Sequence, residues 1–350
     1  MPRKKEIDML EQREKATLAT DTRVGILYNL PGKRAKGEQI DYVAEVEVEE
    51  EAAAVREALE KLGLRPRFLP LKHSAENLVK VIRSLRLDVI VNLCEGAFGE
   101  SHLEMHVPSL LELLMIPYTG SSPLTLGLCQ NKGLTKDILK ANGIPTPKYA
   151  VLSSPKEWKC ELEFPLFVKP LKEDASVGIS KKSYVTRESE LEAQVEYITQ
   201  QYRQPALVEE YVAGREINVA VMGNVKPKAL PISEILFEFQ DEPKIVDYPA
   251  KWFKETDEYR KTKPVCPAHL KPSVKSKVEK RSLEAYEALG CRDYARIDMR
   301  LKADIPYVLE VNPNPDISPD AGFARALKAA GIPYEEFVRT IILYALERGA

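Results

Sequence analysis

Residues 307–318 read YVLEVNPNPDIS. The stretch starts as a strand of apolar, β-prone residues and ends as a loop. Glu310 and Asn312 put a carboxylate and a carboxamide at the strand end, and Pro313 and Pro315 then bar a regular ladder. Side chains two apart on a strand share a face, so Glu310 and Asn312 point the same way. An earlier run, YARIDMR (294–300), reads as a second strand, and the short connection LKADIP predicts a hairpin between the two. Arg296 and Asp298 share one face of that earlier strand, and the hairpin can bring Asp298 beside Glu310 and Asn312. Two carboxylates and a carboxamide are hard oxygen donors suited to a Mg²⁺ ion that also holds phosphates. Ordinary strand-end charges near a surface would show the same spacing.

Two lysines point the same way. Lys169 ends the apolar run PLFVK, where an unpaired ammonium would cost several kcal/mol if buried, so it either reaches water or meets an anion. The following loop, EDASVGIS, is small enough to lay backbone N–H groups along phosphate oxygens. Lys132 opens a predicted helix (132–142), where free N–H groups favour anions. Either lysine taken alone reads more readily as a solvated side chain, since lysine is rarely buried unless paired.

Upstream, the pattern is β-α-β-α-β. RVGILYNL, RPRFLPL and LDVIVNL read as strands, the last continuously apolar as a parallel strand buried on both faces requires. Between them lie helices over about 48–62, stopped by Gly63, and over SAENLVKVIRSL with Ser74 as N-cap. The acids of EVEVEEE read as a solvated strand-to-helix junction, with a substrate amine as the rival use. This order predicts a doubly wound α/β layer over 23–122, without the G-x-G-x-x-G of a dinucleotide site. A helix is expected over HLEMHVPSLLELLMI, a turn before Lys132, and a linker at GIPTP. Further on, FPLFVKP and ISKKSYV read as strands, a helix lies near 188–203, and ALVEEYV and EINVAVM read as strands paired around AGR. A polar loop spans about 238–268, and helices fall near 273–289, 320–330 and 334–348. The expected divisions are a charged arm (1–22), an N-terminal domain (23–122), a central unit (123–215) and a C-terminal unit (216–350).

The 350 residues are 44% hydrophobic and 30% charged, with net charge −2. That composition suits globular cores and gives no electrostatic reason to bind nucleic acid or an anionic membrane. No apolar run is long enough to span a bilayer, and the N-terminus lacks a signal-peptide core, so the expectation is a cytoplasmic protein. Five scattered cysteines without C-x-x-C fit reduced thiols.

Six stretches stand in the order and spacing of the ATP-grasp superfamily: NKGLTKDILKANGIPTP, FPLFVKP…SVGIS, ALVEEYVAGREINVAVM, YPAKWF, LGCRDYARIDMR and LEVNPNPDIS…ARALKAAGIPYEEFV. Together with IPYTGSSPLTLGLCQNK they most resemble D-alanine–D-alanine ligases, over about residues 85–348. The resemblance implies an ATP-grasp fold of an N-terminal doubly wound α/β domain followed by central and C-terminal α+β domains, with ATP between the last two. It implies that Lys132 and Lys169 hold the ATP phosphates and that the DASVG loop closes over them through Ser176. Glu209 would take the adenine amino group, the backbone at Tyr211 and Val212 the ring edge, and Glu216 the ribose hydroxyls. Lys251 would lie near the γ-phosphate. Asp298, Glu310 and Asn312 would coordinate two Mg²⁺ ions (Mn²⁺ being a possible substitute), and Arg296 would stabilise the tetrahedral intermediate. The partners implied are a small carboxylate and an amine, and by analogy a second copy in a homodimer.

The residue pattern supports such a reaction. Activating a carboxylate as an acyl phosphate needs cations around the transferring group and no covalent nucleophile. No G-x-S-x-G or cysteine–histidine pairing is present.

The departures from the ligase pattern fall on the amino-acid site. Ala321-Gly322 replaces the Ser-Leu pair that grips the acceptor carboxylate, and Asp316 replaces a glycine lining the oxyanion site. Trp252 and Ala175 replace the tyrosine and serine of a closure triad whose N-terminal glutamate motif is missing. NLCEGAFGE offers Cys94 and Glu95 where a histidine is usual. A substrate pair other than two D-alanines is therefore expected. Two alternatives remain: a biosynthetic ligase joining an amino acid to a non-amino-acid carboxylate, and a nucleotide-binding regulator without turnover. His102 and His106, spaced i, i+4 with Glu95 or Glu100 nearby, allow a zinc site as a further rival. KPSVKSKVEKR reads as an exposed helix face rather than a nucleic-acid patch.

Overall fold

The computed structural model describes residues 18–30, 37–38, 43–72, 74–159, 161–239 and 243–349. Most of the charged arm and Cys160 lie outside these residues.

The first layer contains β1 (Val24–Asn29), α1 (Val43–Lys61), β2 (Arg67–Leu71), α2 (Ala75–Leu85) and β3 (Val89–Asn92). Its strands are parallel in the order β2-β1-β3, and β3 is buried along its whole length. Ser74 caps α2 by accepting from the Asn77 N–H. Helix α1 starts five residues earlier than the sequence suggests, so the EVEVEEE run is helical rather than a junction. This phase places Glu51 on the face of Val48, Ala52 and Val55, and it is buried with them.

The next segment is more broken than expected. Ser101–Leu103 forms a 3₁₀ turn before α3 (His106–Leu113), so His102 and His106 do not share a helix. Among the described residues no group of three His, Cys, Asp or Glu is placed to hold a metal, which removes the zinc reading. The expected turn before Lys132 is a helix, α4 (Pro123–Gln130), capped by Ser122 with proline at its start. Helix α5 (Lys132–Ala141) follows. GIPTP is packed rather than a free linker: Pro145 O accepts from the Val308 N–H at 2.8 Å, and Thr146 Oγ1 donates to Val308 O at 2.8 Å.

A four-stranded antiparallel sheet comes next: β4 (Tyr149–Leu152), β5 (Leu166–Pro170), β6 (Tyr184–Val185) and β7 (Ala206–Glu210), in the order β4-β7-β5-β6, with α6 (Glu188–Gln201) packed on it. The expected pairing of ALVEEYV with EINVAVM does not occur. Both edges of β7 are taken by β4 and β5, and β8 (Arg215–Met222) belongs to another sheet. The chain crosses between the sheets at Gly214, where a Cβ would stand 2.2 Å from Leu301 O.

The third sheet joins β8 to β9 (Lys228–Ala229), β10 (Ser233–Phe237), β11 (Thr262–Val265), β12 (Tyr294–Lys302) and β13 (Ile305–Asn312). Its order is β11-β10-β8-β12-β13, with β9 beside β8. The presumed polar loop over 238–268 therefore holds regular structure: α7 (Tyr248–Trp252), α8 (Asp257–Arg260) and β11. Helix α9 (Pro272–Ala288) backs this sheet. The last helices, α10 (Gly322–Ala329) and α11 (Tyr334–Arg348), return to the first layer, where Phe323, Phe337 and Ile341 share a core with Val24, Ile26 and Leu59. No helix among the described residues is long and apolar enough to cross a membrane.

Asp293, fully buried, ties three distant segments. It accepts from the Gly120 N–H at 2.8 Å, Asn224 Nδ2 at 3.0 Å and Arg348 Nη1 at 2.7 Å. Asp293→Ala leaves Arg348 without its counter-charge and should lower unfolding stability by about 3–5 kcal/mol. Lys80→Ala, which breaks an exposed pair with Glu76, should cost under about 1 kcal/mol in the same denaturant titration.

Candidate active site

The hairpin of β12 and β13 is antiparallel, with Asp298 opposite Glu310 and Arg296 opposite Asn312. An extra residue, Leu309, bulges between Glu310 and Val308. On the other side β8 places Asn218 opposite Asp298 and Glu216 opposite Arg300. Period-two alternation therefore brings Arg296, Asp298 and Arg300 to one face with Glu216 and Asn218.

These groups hold one another. Arg296 grips Asp298 bidentately, Nε to Oδ1 at 2.9 Å and Nη2 to Oδ2 at 2.8 Å. Asn218 Nδ2 also donates to Asp298 Oδ1 at 2.7 Å, and Asn312 Nδ2 to Oδ2 at 3.0 Å. Burial opposes the charge on Arg296, but Asp298 outweighs it and raises the pKa. Burial would likewise raise the Glu310 pKa, yet the fields of Lys169, Lys132, Arg296 and Lys251 hold it at about 2. Glu310 is thus an ionised carboxylate beside Asp298 and Asn312. The three side chains supply oxygen donors only, which fits a hard divalent cation such as Mg²⁺.

Neither predicted lysine is solvated. Lys169 is 4% exposed and lies 3.3 Å from Glu209 Oε1 and 3.6 Å from Glu310 Oε2. Lys136, not singled out in the sequence, is fully buried and reaches Glu209 Oε2 at 2.6 Å. A chain of alternating charge thus runs Lys136–Glu209–Lys169–Glu310, from α5 through the four-stranded sheet to the six-stranded one. Burial lowers the Lys136 pKa, while in Glu209 the two lysines outweigh burial and lower the carboxyl pKa. Lys132 faces elsewhere: its ammonium donates to Glu173 O at 2.5 Å and Asp174 Oδ1 at 2.7 Å.

A cleft of about 620 Å³ opens between the two sheets. Lys169, Glu209, Tyr211, Val212 and Glu216 line it together with Asp298, Glu310 and Asn312. Ser176, Lys251, Trp252 and Arg296 line it too, as do Asp316 and Gly322, whereas Lys132 does not. Arg300, also missed in the sequence, is 4% exposed, pairs with Glu216 at 2.8 Å and sits 5.5 Å from the Tyr211 ring centroid.

The DASVG loop is latched onto the segment around α7. Ser176 Oγ donates to Val246 O at 3.0 Å, and Trp252 Nε1 donates to Ala175 O at 3.1 Å. Ala175 and Ser176 both take positive φ, 54° and 61°, a conformation that non-glycine residues adopt only at some cost.

A second, smaller cavity of about 130 Å³ is lined by Glu95 and Glu51 of the first layer and by Glu104. It shares Ala175, Lys251, Trp252, Arg296, Asn312 and Asp316 with the large cleft. Burial lowers the Lys251 pKa, with Arg296 pressing in the same direction. Burial and then Asp316 push the Glu95 carboxyl up to about 7.

Comparison with known proteins agrees with this geometry. The family model described as "D-ala D-ala ligase C-terminus" matches residues 138–343. A D-alanine–D-alanine ligase of Carboxydothermus hydrogenoformans is 32% identical over 282 residues, 77% of this chain and 85% of that protein. The uncharacterized protein y4sG of Sinorhizobium fredii is 36% identical over 262 residues, 74% of this chain and 75% of that protein. The crystal structure of the D-alanine–D-alanine ligase from Bacillus anthracis complexed with ATP superimposes with a TM-score of 0.73 at 28% identity, covering 93% of this chain and 97% of that one. The chain belongs to the D-alanine–D-alanine ligase family and has its ATP-grasp fold.

Proposed function

We propose that the protein is an ATP-dependent ligase that joins a carboxylate to an amine through an acyl phosphate, with a substrate pair other than two D-alanines. The observation that carries this reading is the meeting of the two cavities at Lys251 and Arg296. A nucleotide in the large cleft and a small acid in the other would face each other across those two cations.

On this reading Glu209, Tyr211 and Val212 receive the base, Glu216 the ribose, and Lys169 and the Ser176 loop the phosphates, which Lys132 would join only by leaving Glu173 and Asp174. Mg²⁺ held by Asp298, Glu310 and Asn312 would neutralise phosphate charge. The substrate carboxylate oxygen attacks the γ-phosphorus and ADP leaves. The amine then attacks the acyl carbon, the C–O bond to phosphate breaks, and the amine proton is lost to solvent or a nearby base. Arg296, released from Asp298, would face the developing oxyanion. The latch between Ala175–Ser176 and 246–252 would exclude water from an intermediate that water destroys.

The substitutions at Glu95, Ala175, Trp252, Asp316 and Ala321-Gly322 support a changed amino-acid pair, because a pocket that loses hydroxyl and imidazole partners no longer selects the same ligand.

ADP release should rise only when a carboxylate and an amine are both supplied, with a product whose mass is their sum less water. D-alanyl-D-alanine formed at ordinary ligase efficiency would contradict the altered-pocket reading. Glu310→Gln should lower turnover at least tenfold, and unchanged turnover would remove the Mg²⁺ assignment. Lys136→Met frees Glu209 from its shortest ion pair and should raise the KM for ATP by about tenfold or more, the scale of one charged hydrogen bond. An unchanged KM would separate Glu209 from base recognition.

A further inference from the structure

Lys132, the first residue of α5, is held by the chain itself. Its side chain is 3% exposed, and its ammonium donates to Glu173 O at 2.5 Å and to Asp174 Oδ1 at 2.7 Å. Among the described residues Asp174 is the one carboxylate within ion-pair distance of Lys132, and Lys132 the one cation within that distance of Asp174. Asp174 is the freer partner. Its side chain is 42% exposed, and no other donor reaches its carboxylate among the described residues.

Lys132 nevertheless acts on the larger cleft. Burial would raise the Glu310 pKa, and of the cations that outweigh it Lys132 comes second, after Lys169. Glu310 lines the cleft, as do Ala175 and Ser176, whereas Lys132 does not. The loop that grips the ammonium through Glu173 and Asp174 therefore also supplies cleft wall through its next two residues. That path is costly, since Ala175 and Ser176 both take positive φ. Several contacts keep the loop on it. Glu173 accepts from Ser101 Oγ at 2.9 Å and Gln204 Nε2 at 2.8 Å, Ser176 donates to Val246 O, and Ala175 O accepts from Trp252. Of all the contacts that hold the loop here, the one between Lys132 and Asp174 alone joins opposite charges.

We propose that Asp174 is an internal competitor for Lys132: its carboxylate holds the ammonium that a nucleotide phosphate would take, so phosphate binding has to break the Lys132–Asp174 pair. The inference rests on the reading of Lys132 as a residue that joins the phosphates. Carboxylate and phosphate oxygens offer an ammonium the same kind of charge-assisted hydrogen bond, and the phosphates bring more negative charge, which favours the exchange. Asp174 also lines the smaller cavity. The exchange would leave its carboxylate without a cation on that wall only once the phosphates are in place. The pair would thus link the smaller cavity to occupancy of the larger cleft, and would hold nucleotide affinity below what the cleft's cations could otherwise reach.

The test compares the full-length protein with its Asp174→Asn, Lys132→Met and double variants, measuring the affinities of Mg²⁺–ADP and of adenosine by calorimetry. Asp174→Asn should bind Mg²⁺–ADP about threefold more tightly or better, the scale of a half-exposed ion pair. Lys132→Met should bind it more weakly, and adding Asp174→Asn to that variant should bring no such gain. Adenosine, which has no phosphate, should be unmoved by Asp174→Asn. Should Lys132→Met fail to fold, Lys132→Gln replaces it. A smaller gain or a loss in Asp174→Asn overturns the inference, because Asp174 then positions Lys132 instead of competing for it. A gain of the same size in the Lys132→Met background overturns it in favour of general charge repulsion, and an equal gain for adenosine overturns it in favour of a loosened loop. Affinity unchanged in Lys132→Met removes Lys132 from the phosphates and the inference with it. ADP release with substrate pairs decides the ligase reading separately.

Discussion

Lys169 is the constraint on which the site depends. Its ammonium sits at the end of an apolar strand with 4% exposure, where a lone charge could not remain. It persists because Glu209 of its own sheet and Glu310 of the neighbouring sheet both approach it. The two sheets are thereby held in one relative position at their charged edges, and the cleft between them is what that spacing leaves. Lys136 extends the arrangement by holding the far oxygen of Glu209. A buried array of this kind contributes little net stability, because desolvation offsets most of its Coulomb energy. Its value is in fixing where each charge lies before any ligand arrives.

The rest of the molecule serves that edge. Helices α10 and α11 return to the first layer and share its core, so the wall bearing Glu51 and Glu95 is anchored to the same chain segment that carries Asp316 and Arg325. The Ile317 N–H bond to Glu51 is the most direct of these links. The larger cleft and the smaller cavity therefore differ in construction. The first is a network whose charges are mutually satisfied. The second holds Glu51, Glu95 and Glu104, none of which makes an ion pair among the described residues.

Much of the larger cleft was legible in the sequence because it depends on strand alternation and a short hairpin. Asp298, Glu310 and Asn312 came together as period two requires, and the Leu309 bulge left their alignment intact. Arg300 lay on the same face as Arg296 and Asp298 and could have been found by the same count. Lys136 stands one helical turn from Lys132, but nothing in that spacing shows that its partner is Glu209 on a strand more than sixty residues later. Glu51 was hidden by its company. A run of glutamates reads as solvated, and only the earlier start of α1 rotates one of them into the core. The separation of β7 from β8 also escaped, since two adjacent β-prone runs around a glycine look like a hairpin. The glycine instead marks where one sheet's chain passes close to the other's backbone.

The claim that Lys169 unites the Glu209 end and the Glu310 end of the cleft into one site is tested most directly by a double-mutant cycle. Glu209→Gln, Glu310→Gln and the double variant would be compared with the parent protein for Mg²⁺–ADP affinity by calorimetry. Because both carboxylates act through the same ammonium, their effects should be non-additive, with an interaction energy of about 1 kcal/mol or more. Additivity within about 0.3 kcal/mol would show that the two ends are independent and contradict the account.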